Sequence, residues 1–234
     1  MAIKDLIRPV QKWSSGEVAG DFTYIDLASV DQTAKTIEKP KRLRVADAPS
    51  RARQLIQAGD VLVSTVRPNL NAVALVSSQF SGATASTGFC VLRPNSFMLH
   101  GRYLFHWVKN PRFVSGLMSL ATGASYPAVS DKQIKGTTIP LPPLAEQRRI
   151  AEVLDRADAL RAKRRAALAQ LDELTQSIFL DTFGTKRDWP SRWPQGTVAE
   201  AGTVQLGRQR SPKYQTGRFS NKYLRVANVY ENRI

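Results

Sequence analysis

From Pro142 to Gly184 the chain reads PPLAEQRRIAEVLDRADALRAKRRAALAQLDELTQSIFLDTFG, and this stretch divides the molecule. Between Pro143 and Leu180 there is no internal Gly or Pro, and Ala, Leu, Arg and Glu, which all favour helix, dominate. Pro142 and Pro143 suit a helix start, where the first N–H groups have no intrahelical acceptor. Glu146 falls in the first turn, where the macrodipole favours an acid, and Gly184 stands where a left-handed stop belongs. The pattern predicts one helix from Pro143 to about Leu180, on the order of 55 Å long. Val153, Ala157, Leu160, Arg164, Ala167, Leu171, Leu174 and Ile178 repeat at alternating spacings of four and three, apolar except for Arg164. That is coiled-coil spacing over about four heptads, and it predicts packing along the helix against another helix. Glu152 and Arg156 are placed to pair at i,i+4 on the exposed side. A core helix of a globular bundle is the plainer reading. The length and the charge-rich outer faces favour a helix that needs a partner.

Outward from the helix, residues 1–140 read as a separate α+β domain. Runs with strand character occur at Phe22–Leu27, Asp60–Thr65, Ala72–Val76, Gly88–Leu92 and Gly136–Pro140, punctuated by Ser, Gly and Pro. Gly59-Asp60 reads as a turn, and Leu99–Asn110 as a short helix closed before Pro111. The expected fold class is therefore α+β, a mixed α/β domain at 1–140 followed by a long coiled-coil-forming helix at 141–184. Residues 185–234 open on the linker Asp188-Trp189-Pro190-Ser191-Arg192-Trp193-Pro194 and reach a strand-like run at Tyr223–Val229. That run echoes Tyr24–Val30 in the pattern Tyr-aliphatic-x-aliphatic-Ala-polar-Val, as though a second copy of the first domain began there.

Charge follows the same division. Residues 1–140 carry 17 basic and 9 acidic side chains, residues 141–185 seven of each, and residues 186–234 ten and three. The total of +15 over 234 residues is thus concentrated on either side of a neutral helix, which points to a polyanion partner. A composition of 42% hydrophobic and 23% charged residues excludes a disordered chain. A single cysteine, Cys90, excludes an internal disulfide, and with only His100 and His106 beside it a Cys/His zinc site is not expected. The longest aliphatic run, Ala72–Val76, is too short to cross a membrane, and the N-terminus has no signal-peptide core, so a cytoplasmic protein is expected.

Catalytic chemistry finds no foothold. There is no phosphate-binding loop and no dinucleotide fingerprint. Pro142-Pro143 lacks the preceding Asn or Asp and the following aromatic of an adenine methyltransferase loop. His100 and His106 have no acid close in sequence, and Asp131-Lys132 is far from the acidic cluster of a metal-dependent nuclease. No catalytic or metal-ligating residue is expected. Three segments instead combine hydrogen-bonding side chains with backbone freedom. The first includes Ser64, Thr65, Arg67, Asn69 and Asn71. The second, Ala83–Gly88, includes Ser86 and Thr87, and the third, Thr122–Lys132, includes Ser125, Tyr126 and Lys132. Arg can hold guanine bidentately, Asn adenine, and hydroxyls and Lys suit phosphates.

These residues carry a resemblance. Ile139-Pro140-Leu141-Pro142-Pro143-Leu144-Ala145-Glu146-Gln147-Arg148-Arg149-Ile150 ahead of a long helix resembles the specificity subunit of Type I restriction–modification systems. Residues 59–71, 86–94 and 123–130 resemble that family's target-recognition domain. The resemblance implies a non-catalytic protein that reads half of a split site on double-stranded DNA. It also implies a modification subunit that methylates adenine and, in the full complex, a restriction subunit. S-adenosylmethionine, ATP and Mg would belong to those partners, leaving this chain without a cofactor. In the family two long helices pack antiparallel between two recognition domains. The present sequence stops within the second domain, before a second helix, as a fragment, a natural half subunit or a split one would. If it is truncated, two copies are expected to pair as a homodimer through Val153, Ala157, Leu160, Ala167, Leu171, Leu174 and Ile178. The other reading is a coiled-coil adaptor or inhibitor with only nonspecific affinity for DNA.

Overall fold

The computed structural model describes residues 1–14, 20–123, 125–185, 187–194, 196–203 and 205. The expected run Tyr223–Val229 lies outside them. Two compact units divide the chain, Met1–Gln170 and Leu171–Ile234.

The first unit is built on strand β7 (Val61–Ser64) and its neighbours. β1 (Ile7–Arg8), β10 (Phe89–Pro94), β7 and β8 (Val73–Leu75) form one antiparallel sheet in that order. β5 (Lys41–Arg44), β2 (Asp21–Ile25), β9 (Thr84–Ser86) and β6 (Ala52–Leu55) form a second, in which β2 and β9 run parallel. β3 (Val30–Asp31) and β4 (Thr36–Ile37) make a small hairpin. Side chains of the first sheet alternate between two cores. Val61, Val63, Val73, Cys90 and Leu92 pack with Leu104, Val108, Phe113, Leu117 and Ile134 of the helices. Leu62, Ala74, Phe89 and Val91 pack with Ile25 and Ala85 of the second sheet. Burial on both faces explains why 61–63 and 89–92 read as unbroken apolar runs rather than alternating ones. Burial also pushes the Cys90 thiol far above its ordinary value, making it an inert core residue. At one end of this sheet Arg93 donates two hydrogen bonds to Asp60, at 2.9 and 2.8 Å, tying β10 to the Gly59-Asp60 turn.

The fold is the expected α+β class, with three departures in detail. Leu99–Asn110 yields helix α1 (Gly101–Lys109), but Pro111 then opens a second helix, α2 (Pro111–Leu120), whose first turn is capped by the Asn110 carboxamide oxygen on the Arg112 N–H. Proline at a first helical position starts a helix as readily as it ends the preceding one. Gly136–Pro140 is not a strand. Helix α3 (Asp131–Gly136) runs into it from a capping box between Ser130 and Gln133, and residues 137–140 make only an isolated bridge, Thr138 to Ala2. Ala83–Gly88, expected as an accessible loop, contains the central strand β9, whose Thr84, Ala85 and Ser86 are all buried.

Helix α4 (Leu144–Phe183) spans 40 residues, about 60 Å. Its beginning is held against the first unit by Gln147, which is fully buried. The Gln147 carboxamide accepts from the His100 N–H at 2.9 Å and donates to the carbonyls of Met98 (3.0 Å) and Pro142 (2.8 Å). Further along, Asp155 accepts from Arg102 and pairs with His106, each at 2.9 Å, while Asp158 pairs with Lys109. His106 thus finds its acid across the fold rather than nearby in sequence. At about 100° per residue, Val153, Ala157 and Leu160 point roughly opposite to Gln147, Ala151, Asp155 and Asp158. The ion pairs along the helix itself are Glu146–Arg149 and Asp158–Arg161, not Glu152–Arg156. In the second unit the helix ends at Gly184 (φ 76°). The indole N–H groups of Trp189 and Trp193 donate to the carbonyls of Gly184 and Phe183, satisfying the helix end. Two short helices, α5 (Trp189–Arg192) and α6 (Val198–Ala201), complete the described residues.

Replacing Gln147 by Ala strands one part-buried donor and two part-buried acceptors, so it should cost about 2–3 kcal/mol in urea unfolding. The exposed Arg156→Ala should stay within about 0.5 kcal/mol. The dock should also be acid-sensitive. Burial acts to raise the Asp158 carboxyl, but Lys109, Arg161 and His106 together outweigh it and leave the group below the ordinary 3.8. Asp158 therefore contributes stability in full above 3.8, lost as pH falls through the lowered value. Asp158→Asn should flatten that part of a pH series of unfolding midpoints.

Candidate nucleic-acid interface

The three segments singled out in the sequence meet at one place, and backbone hydrogen bonds join them. The Thr65 N–H and hydroxyl both donate to the Gly88 carbonyl at 2.9 Å, linking the first segment to the second. The Val129 N–H donates to the Thr65 carbonyl (2.8 Å) and the Arg67 N–H to the Pro127 carbonyl (2.7 Å), linking the first to the third. The third segment closes on itself through reciprocal bonds between Thr122 and Ala128. Gly123 (φ +94°) permits that closure, since a Cβ there would lie 2.8 Å from the Tyr126 carbonyl oxygen.

On this frame Tyr126 is 66% exposed, and the Arg67 guanidinium lies 4.3 Å from the centre of its ring. Arg67 leaves β7 in left-handed backbone (φ 48°), the turn Pro68–Leu70 follows, and Asn71 closes it, also left-handed (φ 47°). Asn69, Thr87, Ser125 and Lys132 are exposed, Lys132 on the first turn of α3. These side chains present a planar cation, an aromatic face, a carboxamide, two hydroxyls and an ammonium to solvent, the groups that engage base edges and phosphates.

Other members of the predicted set face inward. Ser64 is 4% exposed and Ser86 3%. The Ser64 hydroxyl donates to the Val66 carbonyl at 2.7 Å, and the Ser86 hydroxyl accepts from the Gly88 N–H at 3.1 Å. Both hold the loops in course from beneath. Thr65 does the same through Gly88. The Asn71 carboxamide is engaged too, donating to the Lys109 carbonyl at 3.2 Å.

Beside Thr87 the face continues into an open cleft of about 780 Å³, bordered by Lys12, Arg53 and Lys135 and floored by Val10 and Phe89. Lys135 is paired with Asp131 at 3.1 Å, and Arg53 donates to the Ser50 carbonyl. Lys12 and Arg53 were not legible as site residues, because only the bridge between Lys12 and Gln54 brings their segments together. The Ser130-x-x-Gln133 capping signature, by contrast, is written in the sequence and orients α3 with its Lys132 and Lys135. Among the described residues no group of three or more His, Cys, Asp or Glu side chains could hold a metal ion. Nor is any helix of those residues long and apolar enough to cross a membrane.

The apolar seam of α4 is open along nearly all its length. Val153, Leu160 and Ala167 in the first unit, and Leu171, Leu174 and Ile178 in the second, are exposed, Leu160 by 67%; Ala157 is half-buried.

Comparison with known proteins agrees with these features. Residues 46–170 match the type I restriction modification DNA specificity domain. The specificity subunit of the type I restriction enzyme EcoKI from Escherichia coli K12 is 29% identical over 189 residues, covering 75% of this chain and 40% of that protein. The EcoDI specificity subunit of Escherichia coli is 26% identical over 141 residues, covering 58% and 30%. Among solved structures, the HsdS subunit from Thermoanaerobacter tengcongensis superposes with a TM-score of 0.63 at 35% identity, over 77% of this chain and 48% of that one. A chain from a study of complex assembly and conformational transition of the type I R-M system gives 0.66 at 34% identity, over 78% and 48%. The chain thus spans about half the length of these solved relatives and less of the curated ones. Because the matched region takes in β6 to β10, all three converging segments and the docked part of α4, the chain belongs to the type I restriction modification DNA specificity family.

Proposed function

We propose that this chain reads one half of a split site on double-stranded DNA. It would do so without catalysis, as the recognition part of a type I restriction–modification complex. The observation that carries the reading is the convergence of residues 64–71, 86–88 and 122–132 on one exposed face of a strongly basic domain, with Arg67 stacked on Tyr126 at its centre. Phosphate attraction by the basic surface supplies affinity and salt dependence, and the side chains of the face supply base preference. The modification subunit brings adenine methylation with its S-adenosylmethionine, and the restriction subunit brings ATP and Mg, all in the cytoplasm. This chain places them on DNA.

The open seam of α4 takes a second helix of the same kind, which for this chain alone is a second copy. The seam reads equally well in reverse. In an antiparallel pair centred between Arg164 and Ala167, Val153 meets Ile178, Ala157 meets Leu174, Leu160 meets Leu171, and Arg164 meets Ala167. Each small residue then faces a large one, and the Arg164 stem crosses an alanine. A parallel pair would set Arg164 against Arg164 and leave alanine opposite alanine twice.

A randomised-duplex selection with the chain and its modification subunit, near physiological salt, tests the reading. Two inverted copies of one short motif at fixed spacing are expected, and a steep salt dependence with no base preference would favour the adaptor instead. Arg67→Ala should cost about 1–3 kcal/mol and relax one position, whereas Lys132→Ala should weaken all sequences alike. Sedimentation should show a dimer at micromolar concentration. Leu160→Asp should dissociate it, since each leucine withdrawn from water contributes about 1.5–3 kcal/mol.

A further inference from the structure

Among the described residues, three that are not glycine have left-handed backbone: Lys35 (φ 60°), Arg67 (φ 48°) and Asn71 (φ 47°). All three belong to one place. Arg67 and Asn71 flank the turn Pro68–Leu70, and the Lys35 ammonium donates to the Asn71 carbonyl at 2.5 Å. Such conformations are costly for residues with a Cβ and persist only where the surroundings over-determine them. Here the surroundings are a chain of polar contacts that leads away from the exposed face. The Asn71 carboxamide donates to the carbonyl of Lys109, at the C-terminal end of α1. The Lys109 ammonium pairs with Asp158 on α4, and Asp158 also accepts from Arg161 at 2.9 Å.

We infer that Lys35, Asn71, Lys109 and Asp158 form a brace that holds the strained turn carrying Arg67 at a fixed position relative to helix α4. The inference rests on the proposed reading of the face as a DNA interface and deepens it. Asn71 and Asp158 are positioning residues: they act on DNA through Arg67, whose guanidinium lies over the Tyr126 ring. Lys109 serves twice, its carbonyl taking the turn and its ammonium taking the helix. A link in which one residue joins both neighbours transmits a displacement of either one to the other, so a shift of α4 moves Arg67. Packing alone would not require it. The turn already has Pro68 buried, and α1 is already held to α4 by Asp155 through Arg102 and His106.

The test compares binding to two duplexes by the wild-type chain with its modification subunit and by three variants. One duplex is the sequence preferred in the selection, and the other is altered only at the position whose preference Arg67→Ala abolishes. Asn71→Gly keeps the left-handed backbone and removes the carboxamide. Asp158→Asn removes the charge, and Asp158→Glu restores it. Asn71→Gly and Asp158→Asn should each reduce discrimination between the duplexes roughly three- to tenfold while leaving affinity for unrelated DNA nearly unchanged. Asp158→Glu should recover most of the discrimination. Thermal unfolding of the same proteins separates positioning from stability. Wild-type discrimination retained in both Asn71→Gly and Asp158→Asn would overturn the brace. So would losses of discrimination that track the unfolding temperature without recovery in Asp158→Glu. Equal binding of all sequences by the wild-type chain would instead overturn the DNA reading itself, and the brace with it.

Discussion

The attachment of helix α4 within the first unit adds a set of directional polar bonds to the apolar contact of Ile150 and Ala151, and much of the molecule depends on those bonds. Gln147 is fully buried and commits its carboxamide to three backbone groups, while Asp155 and Asp158 take Arg102, His106 and Lys109 from one helix, α1. Hydrogen bonds fix direction and register more narrowly than apolar contact does. Beyond Ile150 and Ala151, apolar side chains gather on the opposite face, where Val153 and Leu160 are exposed. One helix can then serve two neighbours without ambiguity over which face belongs to which.

How far this was legible in the sequence depended on whether the governing interaction was local. The helix and its stop at Gly184 follow from propensity and capping, and its observed span differs from the expected one by a few residues. The apolar runs around residues 61–63 and 89–92 were legible because burial on both faces leaves no alternation to confuse. Strand β9 was not, because Thr84-Ala85-Ser86 are small residues that suit a loop equally well. They become a strand only when β2 and β6 close on either side. The start of α2 is hidden because Pro111 suits the end of one helix as well as the beginning of the next. Of the site, the three segments could be named one by one, but the sequence held no sign that they would share Gly88 and Pro127 as hydrogen-bond partners. Nor could it separate Arg67, which reaches Tyr126, from Ser64 and Ser86, whose hydroxyls turn inward.

Charge is distributed in the same economical manner. Along β5 and the turns beside it, Lys41, Arg42 and Arg44 are each paired with an acid, Asp26, Asp21 and Asp47. These pairs neutralise that part of the surface. Lys132 beside the converging segments and Lys12 at the cleft beside Thr87 are paired with no acid among the described residues. Unpaired cations at these positions attract a polyanion to the face before any specific contact forms.

The joints between the three segments are made almost wholly by main-chain groups: Thr65 to Gly88, Val129 to Thr65, Arg67 to Pro127 and Thr122 to Ala128. A frame of this kind takes its shape from the backbone and sets few conditions on the outward side chains. Residues such as Asn69, Ser125 and Tyr126 can therefore be exchanged over evolutionary time while the loops keep their course. In a DNA specificity domain, that separation of shape from identity leaves the outward side chains free to change without refolding the domain that displays them.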